Sequence, residues 1–166
     1  MPEIVFDCCV LSNFAVSRSL PVIKGLYGNS AIVTDFVTAE IRRGYQGGHK
    51  HLRLVQDALD EGWLEETSLR KKEERAIFRS LSVSLGLGEA SSIAVAKARG
   101  FLFACDDRAA RREAGLLGVK LTGTLGILKK AVRNHAVRLK DGDRILAEMK
   151  AGGYYSSILS LREVRD

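Results

Sequence analysis

Residues 4–7 (Ile-Val-Phe-Asp) and residues 101–107 (Phe-Leu-Phe-Ala-Cys-Asp-Asp) are two short apolar runs that end in acidic residues. Runs of this length, apolar at every position, are typical of strands buried on both faces of a parallel sheet. Further strand-like runs occupy residues 30–33 and 119–122, and segments with apolar residues at helical spacing lie between the runs. This alternation predicts an α/β fold in which helices cover both faces of a mainly parallel sheet.

Composition and length favour one globular domain. The chain has 166 residues, of which 46% are hydrophobic and 28% charged, and domains commonly contain roughly 100–200 residues. We expect one domain over residues 1–166, with a C-terminal helix and an extended tail over about 141–166. We expect no membrane span, since no apolar run approaches roughly 20 residues. We also expect no signal peptide, since no basic segment precedes an apolar run at the start of the sequence. Three cysteines without a C-x-x-C pair favour a reduced, cytoplasmic setting.

Acidic residues follow two of the predicted strands. Asp7 comes directly after residues 4–6, and Asp106 and Asp107 come directly after residues 101–105. Ligands of open α/β sheets bind outside the carboxyl ends of the strands, so these acids are candidates for an active-site crevice. The alternative is that each Asp only caps the following helix or turns the chain.

Two more acids lie on predicted helices. Glu40 borders the buried stripe of a helix that is expected to end at Gly44. The alternative is that Glu40 is a solvated acid paired with Arg42 or Arg43. Glu89 opens the Ala-rich helix of GLGEASSIAVA, where an acid also favourably opposes the helix dipole. Clustered carboxylates repel one another, and a divalent cation with oxygen ligands, such as magnesium or manganese, relieves that repulsion.

In order and context, the motifs IVFDCCVLSNF, TAEI, GEASSIAVA and FLFACDD resemble those of the PIN-domain ribonucleases, specifically the VapC-like toxin branch. The resemblance implies a three-layer α/β/α fold with a mainly parallel, roughly five-stranded sheet, and Mg²⁺- or Mn²⁺-dependent hydrolysis of RNA. It assigns the catalytic acids listed here: Asp7, Glu40, Glu89, Asp106 and Asp107. The metal ligands among them are Asp7, Glu40, Glu89 and Asp106, although the choice between the last two Asp residues stays open. Glu89 stands where many relatives carry Asp.

Charge is consistent with a nucleic-acid partner. The formal net charge is +6, and residues 97–140 contain 11 Lys+Arg against 3 Asp+Glu. We expect single-stranded RNA as substrate, with weaker candidates for phosphate contacts in Arg42, Arg43 and Arg108. Family analogy adds an antitoxin protein and a homodimer formed through residues 10–27.

Two other functions remain alternatives. One is a non-catalytic RNA- or protein-binding module with a degenerate acidic site. The other is a receiver-like phosphorylation domain, but the Lys-Pro pair of that class is missing, because Lys120 lies inside the run VKLTG.

Overall fold

The computed structural model describes residues 3–165. Within them, five strands form one parallel sheet in the order β3-β2-β1-β4-β5. The strands are β1 (Ile4–Phe6), β2 (Ala31–Thr34), β3 (Leu64–Thr67), β4 (Leu102–Ala104) and β5 (Leu121–Thr122). The predicted mainly parallel, roughly five-stranded sheet is confirmed.

Helices cover both faces of the sheet. They are α1 (Cys8–Val16), α2 (Leu20–Tyr27), α3 (Asp35–Gln46), α4 (Arg53–Glu61), α5 (Lys72–Leu81), α6 (Leu87–Arg99), α7 (Arg108–Leu116), α8 (Thr124–Arg133) and α9 (Leu139–Ala151), with short 3-10 helices at Lys50–Leu52 and Leu161–Glu163. The cores on the two faces contain different helices: α1–α4, α8 and α9 on one, and α5–α7 on the other. The three-layer α/β/α arrangement is therefore confirmed. Within residues 3–165, none of the helices has the length and apolar character needed to cross a bilayer.

Strand β1 occupies the centre of the sheet because it is apolar at every position. Ile4, Val5 and Phe6 are all fully buried. Successive side chains of a strand point to opposite faces, so Ile4 and Phe6 join the core beneath α1, whereas Val5 joins the core beneath α6. A strand with a polar face would expose that face to the apolar helices of one layer.

The order of the strands creates a crevice beside β1. From β1 the chain proceeds outward to β2 and β3, and then crosses to β4 and β5 on the other side of β1. Ligands of open α/β sheets bind at such a switch point. The Asp7 amide donates to the Ala104 carbonyl across 3.0 Å, so the acidic ends of β1 and β4 are direct neighbours.

The predicted end of α3 at Gly44 is wrong. The helix continues to Gln46 and is capped by Gly47. Gly44 serves close packing instead, because a Cβ atom there would lie 2.5 Å from Leu52 Cδ1. The glycine thus lets the 3-10 helix Lys50–Leu52 lie directly against α3.

A buried ion pair holds α5 to the rest of the fold. Arg99 Nε donates to Glu74 Oε1 across 2.7 Å, and Arg99 Nη1 donates to Thr67 Oγ1 across 2.9 Å. Although burial opposes its ionisation, the pKa of Glu74 lies at about 2, because Arg99 and the Arg70 and Lys71 amides donate to its carboxylate. One guanidinium therefore joins the end of β3, the start of α5 and the end of α6.

Removal of this guanidinium should destabilise the fold strongly. Arg99→Ala leaves the fully buried Glu74 carboxylate without its charge partner, and breaking a buried pair costs about 3–5 kcal/mol. Urea denaturation at pH 7 measures the loss. The control is Arg79→Ala, an exposed arginine of α5, the helix that carries Glu74, with an expected change within about 0.5 kcal/mol. Equal stabilities of the two variants would contradict this assignment.

Candidate active site

Asp7 is a buried acid at the carboxyl end of β1. It is 2% exposed, and its Oδ2 accepts a hydrogen bond from Cys105 Sγ across 3.7 Å. Its side chain makes no capping bond to α1, so the carboxylate is not occupied by helix capping. Burial, followed by the negative charges of Glu89 and Glu40, raises the pKa of Asp7 to about 7.

Asp106, at the end of β4, is held by a hydrogen-bond network. Its Oδ1 accepts from the Thr124 amide across 2.9 Å, and its Oδ2 accepts from Thr124 Oγ1 across 2.6 Å. Asn13 Nδ2 donates to the same Oδ2 across 3.3 Å. A Cβ atom at Gly123 would lie 2.5 Å from Asp106 Oδ1. The glycine therefore lets this carboxylate reach the N-terminus of α8.

Asp107 has different surroundings from its neighbour. It is exposed and forms the N-cap of α7, with Oδ2 accepting from the Ala110 amide across 2.9 Å. The helix-capping alternative thus describes part of what Asp107 does. The negative charge of Asp107 also helps to raise the pKa of Glu89.

Glu40 meets the N-terminus of α6. The Gly88 amide donates to Glu40 Oε1 across 3.2 Å, and a Cβ atom at Gly88 would lie 2.9 Å from Glu40 Cδ. Glu40 is half-buried, so the alternative of a solvated helix acid does not describe it. Only glycine at position 88 allows this carboxylate to approach the helix so closely.

Hydroxyl groups fix α6 against α3 beside Glu40. Thr34 caps α3, and its Oγ1 lies 2.8 Å from Ser91 Oγ. Ser91 and Ser92 each donate to the Gly88 carbonyl, across 2.9 and 2.7 Å. These contacts position the first turn of α6, which carries Glu89.

Glu89 completes the group of acids. It is half-buried, and its pKa is raised by burial, by the charge of Asp107 and by that of Glu40. The negative charges of Glu89 and Glu40 likewise raise the pKa of Asp7. Acids from the end of β1, from α3, from α6 and from the end of β4 therefore share one electrostatic environment.

A protein-family model described as a PIN domain matches residues 3–166. The chain belongs to the PIN-domain family. A search of the curated proteins finds no match. PIN domains are generally nucleases and typically use divalent metal ions, whereas the VapC-like toxin branch stays a prediction.

The candidate ligands of this PIN domain fit a divalent cation by their chemistry. All are carboxylates, the oxygen ligands that Mg²⁺ and Mn²⁺ prefer, and Asp7 is a buried acid whose ionisation a nearby cation would favour. Among residues 3–165, however, no three His, Cys, Asp or Glu side chains already converge as a group that could hold a metal ion.

The three arginines suggested as phosphate contacts are all exposed. Arg42 lies with Gln56 and Glu65 in a groove between α3, α4 and β3. Arg43 lies three residues beyond Glu40 on α3, and Arg108 is the first residue of α7. The positions of Arg43 and Arg108 adjoin the acids more directly than that of Arg42.

Sequence reasoning missed Thr124 and Arg111 in this site. Thr124 holds Asp106, and Arg111 Nη1 donates to the carbonyls of Cys105 and Thr122, across 2.6 and 2.9 Å. Thr124 lies 18 positions from Asp106, whereas the Arg111 partners lie 6 and 11 positions away. The motif LTGT (residues 121–124), a strand end followed by a helix start, was the available signal for Thr124.

The raised pKa of Asp7 predicts a stability that depends on pH. A folded-state pKa of about 7 against the ordinary 3.8 gives stability that is full below pH 3.8 and is lost as pH rises through about 7. Asp7→Asn, which cannot ionise, should therefore be more stable than the wild type at pH 8, by up to about 4 kcal/mol for such a shift. The difference should be smaller at pH 5.

Urea denaturation in EDTA at both pH values provides the measurement. The matched control is Asp60→Asn, since Asp60 is an exposed acid of α4. If the free energies of unfolding of the wild type and Asp7→Asn differ by the same amount at pH 5 and pH 8, the raised pKa of Asp7 is refuted.

Proposed function

We propose that this PIN domain is a metal-dependent endoribonuclease that hydrolyses single-stranded RNA. The observation that carries the proposal is that the charges of Glu40 and Glu89 act on Asp7, while Asp106 follows β4, the strand paired with β1. Membership of the PIN-domain family supports the same reading. We assign these four residues as metal ligands and Asp107 as a fifth acid at the rim.

A bound Mg²⁺ or Mn²⁺ supplies Lewis-acid polarisation of a phosphoryl oxygen and lowers the pKa of water. The residues of the chain hold the carboxylates in place. Thr124 and Asn13 fix the Asp106 carboxylate in one orientation, and Gly88 fixes that of Glu40. Preorganised groups of this kind need no rearrangement during the reaction.

Substrate recognition follows from charge and access. We assign Arg43 and Arg108 to phosphates on either side of the acids, and Arg42 to a weaker, more distant contact. The excess of Lys and Arg over residues 97–140 favours a polyanion near Asp106. Single-stranded RNA presents its phosphates without the constraints of the A-form grooves.

Family analogy leads to a biological role. We propose that the protein acts in the cytoplasm as the toxin of a type II toxin–antitoxin pair, as a homodimer, and that the antitoxin protein covers the acidic crevice. The unpaired thiols of Cys8, Cys9 and Cys105 are consistent with a reducing compartment. Cys9 is exposed, so it does not act as a small buried residue of the core.

One observation favours a second function, a non-catalytic RNA- or protein-binding module. Among the described residues 3–165, no three candidate ligands already converge. In such a module the acids would be a remnant, and the protein would bind RNA without cutting it.

A cleavage assay separates the two functions. With Mn²⁺, the purified protein should cut single-stranded RNA, and EDTA or Asp7→Asn should reduce the rate at least 100-fold, because either change removes the proposed ion or a ligand. Asp60→Asn should keep the wild-type rate. Cleavage that survives both EDTA and Asp7→Asn would exclude the proposed mechanism, and RNA binding without any cleavage would establish the alternative.

The orientation of Asp106 should affect turnover separately. Thr124→Val keeps the volume of a fully buried side chain but removes the hydroxyl that donates to Asp106 Oδ2. A hydrogen bond to a charged group contributes about 1.5–3 kcal/mol, so we expect kcat to fall by about tenfold to 100-fold. Thr38→Val is the matched control, since its hydroxyl donates only to the Thr34 carbonyl. Full activity of Thr124→Val would contradict the role of this network.

A further inference from the structure

A polar cluster outside the acids joins α1 to the 3-10 helix Lys50–Leu52. Ser12 Oγ lies 2.8 Å from His51 Nε2. The His49 ring lies edge-on to the His51 ring, with centroids 6.0 Å apart. Ser12 and His51 are half-buried and His49 is exposed, so the cluster is accessible from solvent.

The cluster lies one helical turn from the acids on two separate helices. On α1, Ser12 follows Cys8, the residue after Asp7, by four positions. On α3, Gly44 follows Glu40 by four positions, and its carbonyl accepts from the His49 amide across 3.0 Å. Four residues of helix advance about 6 Å. Since α1 also packs against α3, the cluster lies about one helical turn beyond the acids on two helices that are in contact.

The Ser12–His51 pair retains a free donor in either tautomer. If His51 carries its proton on Nε2, it donates to Ser12 Oγ, and the hydroxyl proton is available to a ligand. If the proton is on Nδ1, Ser12 donates to Nε2, and Nδ1–H is available instead. In both states the pair offers a hydrogen bond to an acceptor.

The surrounding charges favour an anionic acceptor. Arg43 is exposed in the last turn of α3. The Lys50 ammonium lies 5.0 Å from the centre of the Tyr45 ring. Burial, followed by the charge of His49, lowers the pKa of His51, so at pH 7 the imidazole acts as a neutral donor. Neutral donors bordered by cations suit a phosphate oxygen.

We propose that Ser12 and His51, together with His49, form a subsite for one backbone phosphate of a nucleic-acid strand. The bound phosphate is next along the strand to the one that the carboxylates engage. That placing rests on the proposed function, whereas binding of the phosphate does not depend on cleavage. The subsite extends the recognised substrate beyond the scissile bond.

Binding measurements in EDTA test the subsite without cleavage. The probe is a 2′-O-methyl RNA tetranucleotide, titrated while the imidazole C–H resonances of His49 and His51 are followed by NMR. Both resonances should shift and saturate, and the double variant Ser12→Ala/His51→Ala should raise Kd about fivefold or more, the effect of one or two hydrogen bonds. His135→Asn, which removes an exposed histidine at the end of α8, should leave Kd unchanged.

Two further probes identify what is recognised. A tetranucleotide with neutral methylphosphonate linkages should not shift the His49 and His51 resonances, because the anionic oxygens are missing. Inorganic phosphate should bind more weakly than the tetranucleotide. Equal affinity for inorganic phosphate would make this a site for the free ion and would overturn the proposal.

The remaining outcomes distinguish this subsite from the proposed nuclease. An unchanged Kd in the double variant, with only a lower melting temperature, would show that the Ser12–His51 bond is structural and would overturn the subsite. If the subsite binds the tetranucleotide but the protein cleaves no RNA with Mn²⁺, the proposed function fails and the subsite stands. If the protein cleaves RNA but neither Kd nor KM changes when Ser12 and His51 are substituted, the subsite proposal alone fails.

Discussion

The carboxyl group of Asp7 is only 2% exposed and lies at the end of β1, a strand whose three residues are all fully buried. Burial disfavours its charged form, and the charges of Glu89 and Glu40 disfavour it further. The position is set by the sheet, because β1 is paired on both sides and cannot shift without disrupting β2 and β4. The fold therefore holds a carboxylate whose charge a proton or a nearby cation would relieve, and the proposed metal site is based on this constraint.

The surrounding acids are positioned by two helix N-termini. Glu40 accepts from the Gly88 amide at the start of α6, and Asp106 accepts from the Thr124 amide at the start of α8. Helix N-termini favour negative charge, so each of these two carboxylates is stabilised by the helix end that it meets. Gly88 and Gly123 make both approaches possible, because a Cβ atom at either position would meet the carboxylate. Backbone geometry at these two glycines thus determines where the carboxylates of Glu40 and Asp106 lie.

The sequence predicted the elements better than the contacts between them. Unbroken apolar runs identify β1 and β4, and the acids directly after them are visible without a structure, as is membership of the PIN-domain family through the order of its motifs. The partners of those acids are not local: Thr124 lies 18 positions from Asp106, and Gly88 lies 48 positions from Glu40. Sequence also could not separate Asp106 from Asp107, because their difference is the direction of each side chain. Gly44 shows the same limit, since its role depends on Leu52 from a later segment.

Calorimetric titration of the protein with Mn²⁺ at pH 7 tests the central claim, that the acids around Asp7 hold a divalent cation. The account predicts binding that Asp7→Asn weakens at least tenfold and Asp60→Asn leaves unchanged. Because the ion competes with a proton on a group whose pKa is about 7, the affinity of the wild type should also rise between pH 6 and pH 8. The absence of binding, or an affinity that is the same in wild type and Asp7→Asn, would contradict the account.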